Sequence, residues 1–159
     1  MKKFKFTLEK VLKQRQIAAD MAQKGFAEAQ AAYDEEVAKR DEMVHVKNSS
    51  LDQRATMIQQ GSGWVNSVEQ INEFVIGQDL RIKNQNLRLL EFEKLVELKR
   101  EILRQAVSEV KILEKLEEKQ RAEHKAQTDR EQQADMDELA VLRFSRKENL
   151  IKGSHEDGI

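Results

Sequence analysis

The sequence predicts an all-α fold, an antiparallel two-helix coiled-coil hairpin with an overhanging C-terminal helix. Apolar residues recur at steps of three and four along most of the chain, which is the spacing of a coiled-coil seam. None of the 159 residues is a proline that would interrupt a helix. The one clear break is the segment 59–64, where Gly61 and Gly63 flank Ser62 and predict a turn. Because so short a connection favours antiparallel neighbours, the two helices should pair with each other.

Capping signals set the predicted boundaries of the two helices. The first helix should span residues 7–60, with Thr7 as its N-cap. The second should span residues 66–148, because Asn66 and Glu69 have the spacing of a capping box. The turn is then 61–65 and the frayed tail 149–159, within a single coiled-coil domain of residues 1–159. The alternative is one long interrupted rod whose partner is a second chain.

The apolar seam of the first helix is narrow and rich in alanine in its first half. Small seam residues let a partner backbone approach closely but bury little area, so this half should pack more loosely. The predicted seam is Leu8, Val11, Ala18, Ala22, Phe26, Ala29, Tyr33, Val37, Val44, Leu51, Ala55 and Ile58.

The seam of the second helix supports pairing within the chain. It runs through Val68, Ile71, Val75, Ile82, Leu89, Phe92, Val96, Leu103, Ala106, Val110, Leu113 and Leu116. In a hairpin turning near residues 61–64, paired residue numbers add to roughly 125, so Leu8 faces about residue 117. The seam therefore ends where its partner helix begins. A second apolar line runs beside it, through Phe74, Leu80, Leu90, Leu95, Leu98, Ile102 and Ile112.

Beyond Leu116 the second helix has no predicted partner within the chain. The overhang is roughly 30 residues, or ~45 Å, and ends in an apolar patch. The patch consists of Met136, Leu139, Ala140, Leu142 and Phe144. Apolar groups on an unpaired helix predict an interaction surface, although the helix bending back to cover itself is an alternative. Trp64 is expected to pack over the turn.

Composition and motifs argue against catalysis and nucleic-acid binding. Both charge signs are interspersed, 36% of residues are charged and the net charge is −1, so no basic face is expected. The chain has no cysteine, its three histidines are scattered, and the segment 61–63 lacks the Lys of a phosphate-binding loop. We therefore expect no enzyme activity, no metal and no cofactor. No run of about 18 apolar residues occurs, so the protein should be soluble and cytoplasmic.

Three segments, in order, carry a resemblance to a known family. The start, Phe4-Lys5-Phe6-Thr7-Leu8-Glu9-Lys10-Val11-Leu12, resembles the opening of the FliJ family, the soluble stalk protein of the flagellar type III export apparatus. The segment Ile71-Asn72-Glu73-Phe74-Val75-Ile76 is similar to the family segment after the turn. Met136-Asp137-Glu138-Leu139-Ala140 is similar to its C-terminal signature. Together these segments span nearly the whole chain.

The resemblance implies a stalk that inserts into the hexameric export ATPase, promotes its assembly and activity, and contacts the membrane export gate. Some export chaperones are further implied partners, and peripheral association with the inner membrane is implied as well. Carried over by position, the gate-contacting surface is Ile71, Phe74, Gln78, Arg81 and Gln85, although Gln78 and Arg81 are polar where the family pattern has small or apolar residues. The ATPase contact is expected at Met136, Leu139, Leu142 and Phe144.

Two other functions fit the same sequence features. A generic coiled-coil adaptor or export-cargo chaperone would have no ATPase partner. The equivalent stalk of a virulence type III secretion system would share the architecture.

Overall fold

The structure is a computed structural model that describes the backbone of residues 3–156 and the side chains of residues 3–149. It contains the helix α1 (Glu9–Gln60), a single 3-10 turn (Ser62–Trp64) and the helix α2 (Val65–Glu156). The described residues include no strand, and the two helices pack against each other within one chain. The predicted all-α helical hairpin is thereby confirmed.

The helix ends differ from the predicted ends at three places. The backbone carbonyl of Leu8 accepts the first α-helical hydrogen bond, from Leu12 N–H at 2.9 Å, so α1 starts after Leu8 rather than Thr7. Asn66 lies inside the first turn of α2 and is not its cap, because the 3-10 turn runs directly into the helix at Val65. At the other end, α2 continues to Glu156, so the predicted frayed tail is helical over 149–156. The remainder of that tail, 157–159, lies outside the described residues.

The turn depends on one glycine. Gly61 has φ 110°, a conformation that side-chain-bearing residues rarely adopt, and it is the only described residue with a positive φ. Gly63 has no such requirement, because it lies within the 3-10 turn. The sequence prediction of a glycine-dependent turn is therefore confirmed at Gly61.

The chain divides into two compact units, and the larger one, Gln14–Glu109, is an antiparallel helical hairpin. Cross-helix contacts fix its register. Arg15 pairs with Glu109 at 2.8 Å, Lys47 with Asp79, and Arg54 donates to Asn72 at 2.8 Å. The residue numbers of these pairs add to 124, 126 and 126, in agreement with the predicted value of roughly 125.

The seam of α1 follows a strict heptad that differs from the predicted apolar line. Its at least half-buried positions are Leu12, Ala19, Ala22, Phe26, Ala29, Tyr33, Glu36, Arg40, Met43, Lys47, Ser50, Arg54 and Met57, separated by alternating steps of three and four after Ala19. The prediction was wrong at Val11, Ala18, Ala55 and Ile58, which are exposed. Apolar character alone misled it, because polar side chains such as Glu36, Arg40 and Lys47 occupy seam positions and bury their aliphatic stems.

The seam of α2 matches its prediction more closely. Every predicted member from Val68 to Leu116 is at least half-buried, and Leu89 and Val96 are buried. Gln78 and Gln85 complete the heptads that the apolar pattern left open. Heptad spacing is thus continuous from Ile71 to Val96 once the two glutamines are included.

The second unit joins Met1–Lys13 to Val110–Ile159. Phe6 and Leu12 are buried here, and the Phe4 ring lies 5.7 Å from the ring of His124 and 5.3 Å from the guanidinium of Arg121. Partial burial along α2 therefore continues to Thr128, twelve residues beyond the predicted end of the seam at Leu116. The reason is that non-helical residues cover more length, about 3.3 Å each against 1.5 Å in a helix.

Candidate interaction surfaces

The predicted gate-contacting residues differ in their exposure on α2. Phe74 and Arg81 are exposed and Ile71 is half-buried, so these three are accessible on the surface. Gln78 and Gln85 are only 4% and 8% exposed, because both turn towards α1. Only part of the predicted stripe is therefore exposed in this structure.

The two glutamines hold α1 through its backbone. The side-chain nitrogen of Gln78 donates to the carbonyl of Met43 at 3.0 Å, and that of Gln85 donates to the carbonyl of Glu36 at 3.0 Å. The two donors are one heptad apart on α2, and the two acceptors are one heptad apart on α1. Both hydrogen bonds therefore require the same alignment of the two helices. Arg81 in turn donates to Gln78 Oε1 at 3.2 Å. The buried amide of Gln78 thereby orients the exposed guanidinium of Arg81.

Glu36 is the one carboxylate in the described part of the chain that is buried. Its side chain accepts from Gln85 Nε2 at 2.7 Å and from Lys39 Nζ at 2.8 Å, and Arg88 Nε lies 3.2 Å from Oε2. The hydrogen bond from Lys39, followed by that from Gln85, holds the pKa of the Glu36 carboxyl below its ordinary value. Hydrogen bonds to Glu36 and Glu35 raise the pKa of Lys39. The cluster is fully satisfied: no buried side-chain nitrogen or oxygen among the described residues is without a partner.

The predicted apolar patch near the C-terminus is solvent-exposed. Every described side chain from Asp129 to Asn149 is exposed, and the four predicted ATPase-contact residues are 50–71% exposed. They are Met136, Leu139, Leu142 and Phe144. Val141, which the sequence analysis did not include, is 67% exposed and extends the patch. A heptad count could have found it, because Val141 lies on the continuation of the α2 seam.

The second apolar line of α2 is exposed along its whole length. Its members are 39–64% exposed, and Ile76 and Leu87 are two further exposed aliphatic side chains of α2. Beside Leu87 an open groove lies between the helices, and Tyr33, Ile82, Leu89 and Leu90 contribute to its lining.

Comparison with known protein families shows which family this coiled coil belongs to. A family model described as the flagellar FliJ protein matches residues 4–149. The chain belongs to the FliJ family. No curated relative and no solved structure matches it. FliJ membership makes this chain a component of flagellar type III protein export.

Among the described residues no group of three or more His, Cys, Asp or Glu side chains is arranged to hold a metal ion. Across the same residues, no helix has the length and apolar character needed to cross a bilayer. The exposed apolar side chains of α2 are the surface features of this FliJ-family chain that a partner protein can contact.

Proposed function

We propose that this chain is the stalk of the flagellar type III export apparatus: it inserts into the hexameric export ATPase ring, stimulates hydrolysis and links the ring to the membrane export gate. The proposal would place the protein in the cytoplasm, peripherally associated with the inner membrane through the export apparatus. FliJ membership supports the setting, and the exposed apolar patch supports a protein contact.

The C-terminal patch is the observation that carries the ATPase contact. Five apolar side chains between Met136 and Phe144 are at least half exposed, and in the register of the hairpin no residue of α1 lies opposite them. Basic residues Arg143 and Arg146 and acidic residues Asp137 and Glu138 border them, and such a mixed rim around an apolar centre is typical of protein interfaces. The patch would contact the inner surface of the ring.

Stimulation would follow from a mismatch of symmetry. A single chain cannot contact six equivalent subunits in the same way. If the patch binds one nucleotide state of a subunit more tightly than another, that difference in affinity shifts the populations of the states around the ring. No catalytic group from the stalk is needed.

The gate contact is proposed for the exposed residues of the first third of α2. Phe74 and Arg81 would touch the partner, with Ile71 at the edge of the contact. Gln78 and Gln85 would act as positioning residues, because Gln78 orients Arg81 and both glutamines hold α2 against α1.

The test of the ATPase contact is a triple substitution, Leu139→Ser, Leu142→Ser and Phe144→Ser, assayed for stimulation of the flagellar export ATPase. These side chains are 50%, 52% and 71% exposed, so helix content and melting temperature should change little. Stimulation should be lost. The matched control is Leu80→Ser, Leu87→Ser and Leu98→Ser, three leucines that are 57–59% exposed in the hairpin unit. Normal stimulation by the patch variant would refute the assignment of this surface.

A further inference from the structure

The turn region is the longest part of the hairpin without charge. Residues 55–68, here called the tip cap, contain no Asp, Glu, Lys, Arg or His, in a chain in which 36% of residues are charged. The nearest charges are Arg54 on α1 and Glu69 on α2. Arg54 is itself engaged, since it donates to Asn72 at 2.8 Å. The two helices therefore end in a neutral surface bounded by charged residues.

The tip cap exposes apolar side chains that the hairpin does not use. Ile58 is 61% exposed, Val65 is 59% exposed, and Trp64, which was expected to pack over the turn, is 43% exposed. The Trp64 ring borders an open groove on α1 lined by Thr56, Met57 and Gln60 among others. An indole held at a surface in this way has an apolar body and an N–H group that prefers a polar partner.

The depth of the tip cap matches the interfacial layer of a bilayer. Arg54 precedes Gly61 by seven residues on α1, and Glu69 follows Val65 by four residues on α2, which at 1.5 Å per residue is ~10 Å and ~6 Å of helix. Helices that bind at the membrane surface bury their apolar groups about 5–10 Å into the boundary between headgroups and acyl chains. The first charged residues of the hairpin would then remain at the level of water and headgroups.

The backbone polar groups of the tip cap favour contact with a hydrated interface over burial in an apolar cleft of another protein. The last carbonyl groups of α1 have no continuing helix, because the backbone leaves the helical conformation at Gly61, where φ is 110°. Burying such groups in an apolar cleft would cost free energy, whereas headgroups and interfacial water can hydrogen-bond to them. Trp is enriched at membrane interfaces for a related reason: its ring is apolar and its N–H group is polar.

We propose that the tip cap partitions into the headgroup region of a zwitterionic phospholipid bilayer, with Trp64 in the interface and Ile58 and Val65 at the acyl boundary. No described helix can span a membrane, so the contact is peripheral. Because the tip cap carries no charge, binding does not depend on anionic lipid or on salt. This contact is separate from any contact with the ATPase or the gate protein, and it is tested without either.

Trp64 is the single tryptophan of the chain and reports on its own environment. The experiment adds phosphatidylcholine vesicles to the full-length protein and follows Trp emission, with quenching by lipids brominated near the glycerol end of the chains. The emission should shift to the blue and be quenched. The shift should be the same from about 0.05 M to about 0.5 M salt, a range over which electrostatic binding would be strongly screened.

Charge placed in the tip cap should weaken the partitioning while leaving Trp64 as the reporter. Ile58→Asp with Val65→Asp should weaken it at least about tenfold, because a charge must then be desolvated and apolar contact area is lost. Met21→Asp is the matched control: Met21 is 70% exposed in the same unit but lies on α1 away from the tip cap. Circular dichroism checks that all variants keep the helix content of the parent.

Three results would overturn the proposal. The first is an unshifted emission at high lipid concentration. The second is equal loss of the shift in the Met21→Asp control and the tip-cap variant. The third is binding that requires anionic vesicles and disappears in high salt. A blue shift that needs purified export-gate protein and no lipid would instead identify a protein partner for the tip cap. None of these results bears on ATPase stimulation.

Discussion

The side-chain amide of Gln85 reaches across the helix interface to Glu36 and donates to both its backbone carbonyl, at 3.0 Å, and its Oε2, at 2.7 Å. A single α2 side chain thereby satisfies two acceptors of one α1 residue. Lys39 and Arg88 complete the neutralisation of the carboxylate. The interface is therefore specified by polar contacts at its centre as well as by apolar packing.

The Glu36 cluster predicts a dependence of stability on acid pH. The pKa of Glu36 is lowered in the folded protein, so its ionised form contributes stability that is present above the unfolded pKa of about 4.5. This contribution is lost as the pH falls through the folded pKa. A Glu36→Gln variant should therefore lose less stability than the parent between about pH 5 and about pH 3 in urea titrations.

The control for this prediction is Glu42→Gln, which makes the same change of charge at an exposed position of α1. The Glu42→Gln variant should keep the acid sensitivity of the parent. Identical pH profiles for the parent and Glu36→Gln would contradict the role given to the cluster.

Gln78 predicts a cost for removing a buried hydrogen-bond donor. In Gln78→Ala the carbonyl of Met43 loses its side-chain partner and a cavity forms in the seam, so the free energy of unfolding should fall by about 1–3 kcal/mol. Gln133→Ala is the control, because Gln133 donates to Asp137 on an exposed face and its loss should cost under about 0.5 kcal/mol. Denaturant unfolding followed by circular dichroism compares them, and equal stability of the two variants would argue against the interface described.

The two glycines of the turn should respond oppositely to alanine. Gly61→Ala forces a Cβ into φ 110° and should destabilise the hairpin by about 1–3 kcal/mol. Gly63→Ala meets no atom within 4 Å and has no positive φ, so it should be neutral or stabilising by up to about 1 kcal/mol. The melting temperatures of the two variants and the parent, measured under the same conditions, test this prediction. A larger loss in Gly63→Ala would show that the turn has a different conformation.

The proposed gate surface predicts a separation of binding from stability. Phe74→Ala with Arg81→Glu should weaken binding to the soluble part of the gate protein about tenfold or more, because it removes an aromatic anchor and reverses a charge. Its melting temperature should stay near that of the parent, since both residues are exposed. Asn84→Ala, at an exposed position of the same helix, is the control for binding measured by calorimetry. Undiminished binding of the double variant would move the gate contact elsewhere.

The sequence analysis predicted the structure correctly where a sequence pattern is compatible with only one local structure. Gly61 at the only clear break predicted the turn, and the antiparallel register followed from the rise of a helix and from the position of the turn. It did not recognise polar residues at seam positions: Gln78 and Gln85, which are buried against α1, were assigned to a contact surface, and Glu36 was not singled out. A polar residue at a heptad position can face either solvent or a partner, and only the partner's hydrogen-bonding groups decide which. Counting heptads through polar residues would have placed both glutamines in the seam.

The N-terminal segment shows a second limit of pattern analysis. The helical rise was used to calculate where the seam ends, and that calculation stopped at Leu116. Residues before α1 are not helical, so Phe4 reaches the ring of His124 and extends the contact with α2. A helical period carries no information on how far an adjoining non-helical segment extends.

The most direct test of the proposed function is a titration of the purified protein into the flagellar export ATPase of the same organism, with hydrolysis and hexamer formation followed together. The stalk account predicts that stimulation saturates near one chain per six ATPase subunits, with hexamers forming at the same ratio. Stimulation that requires one chain for every subunit, or no stimulation and no binding, would contradict it and favour a coiled-coil adaptor.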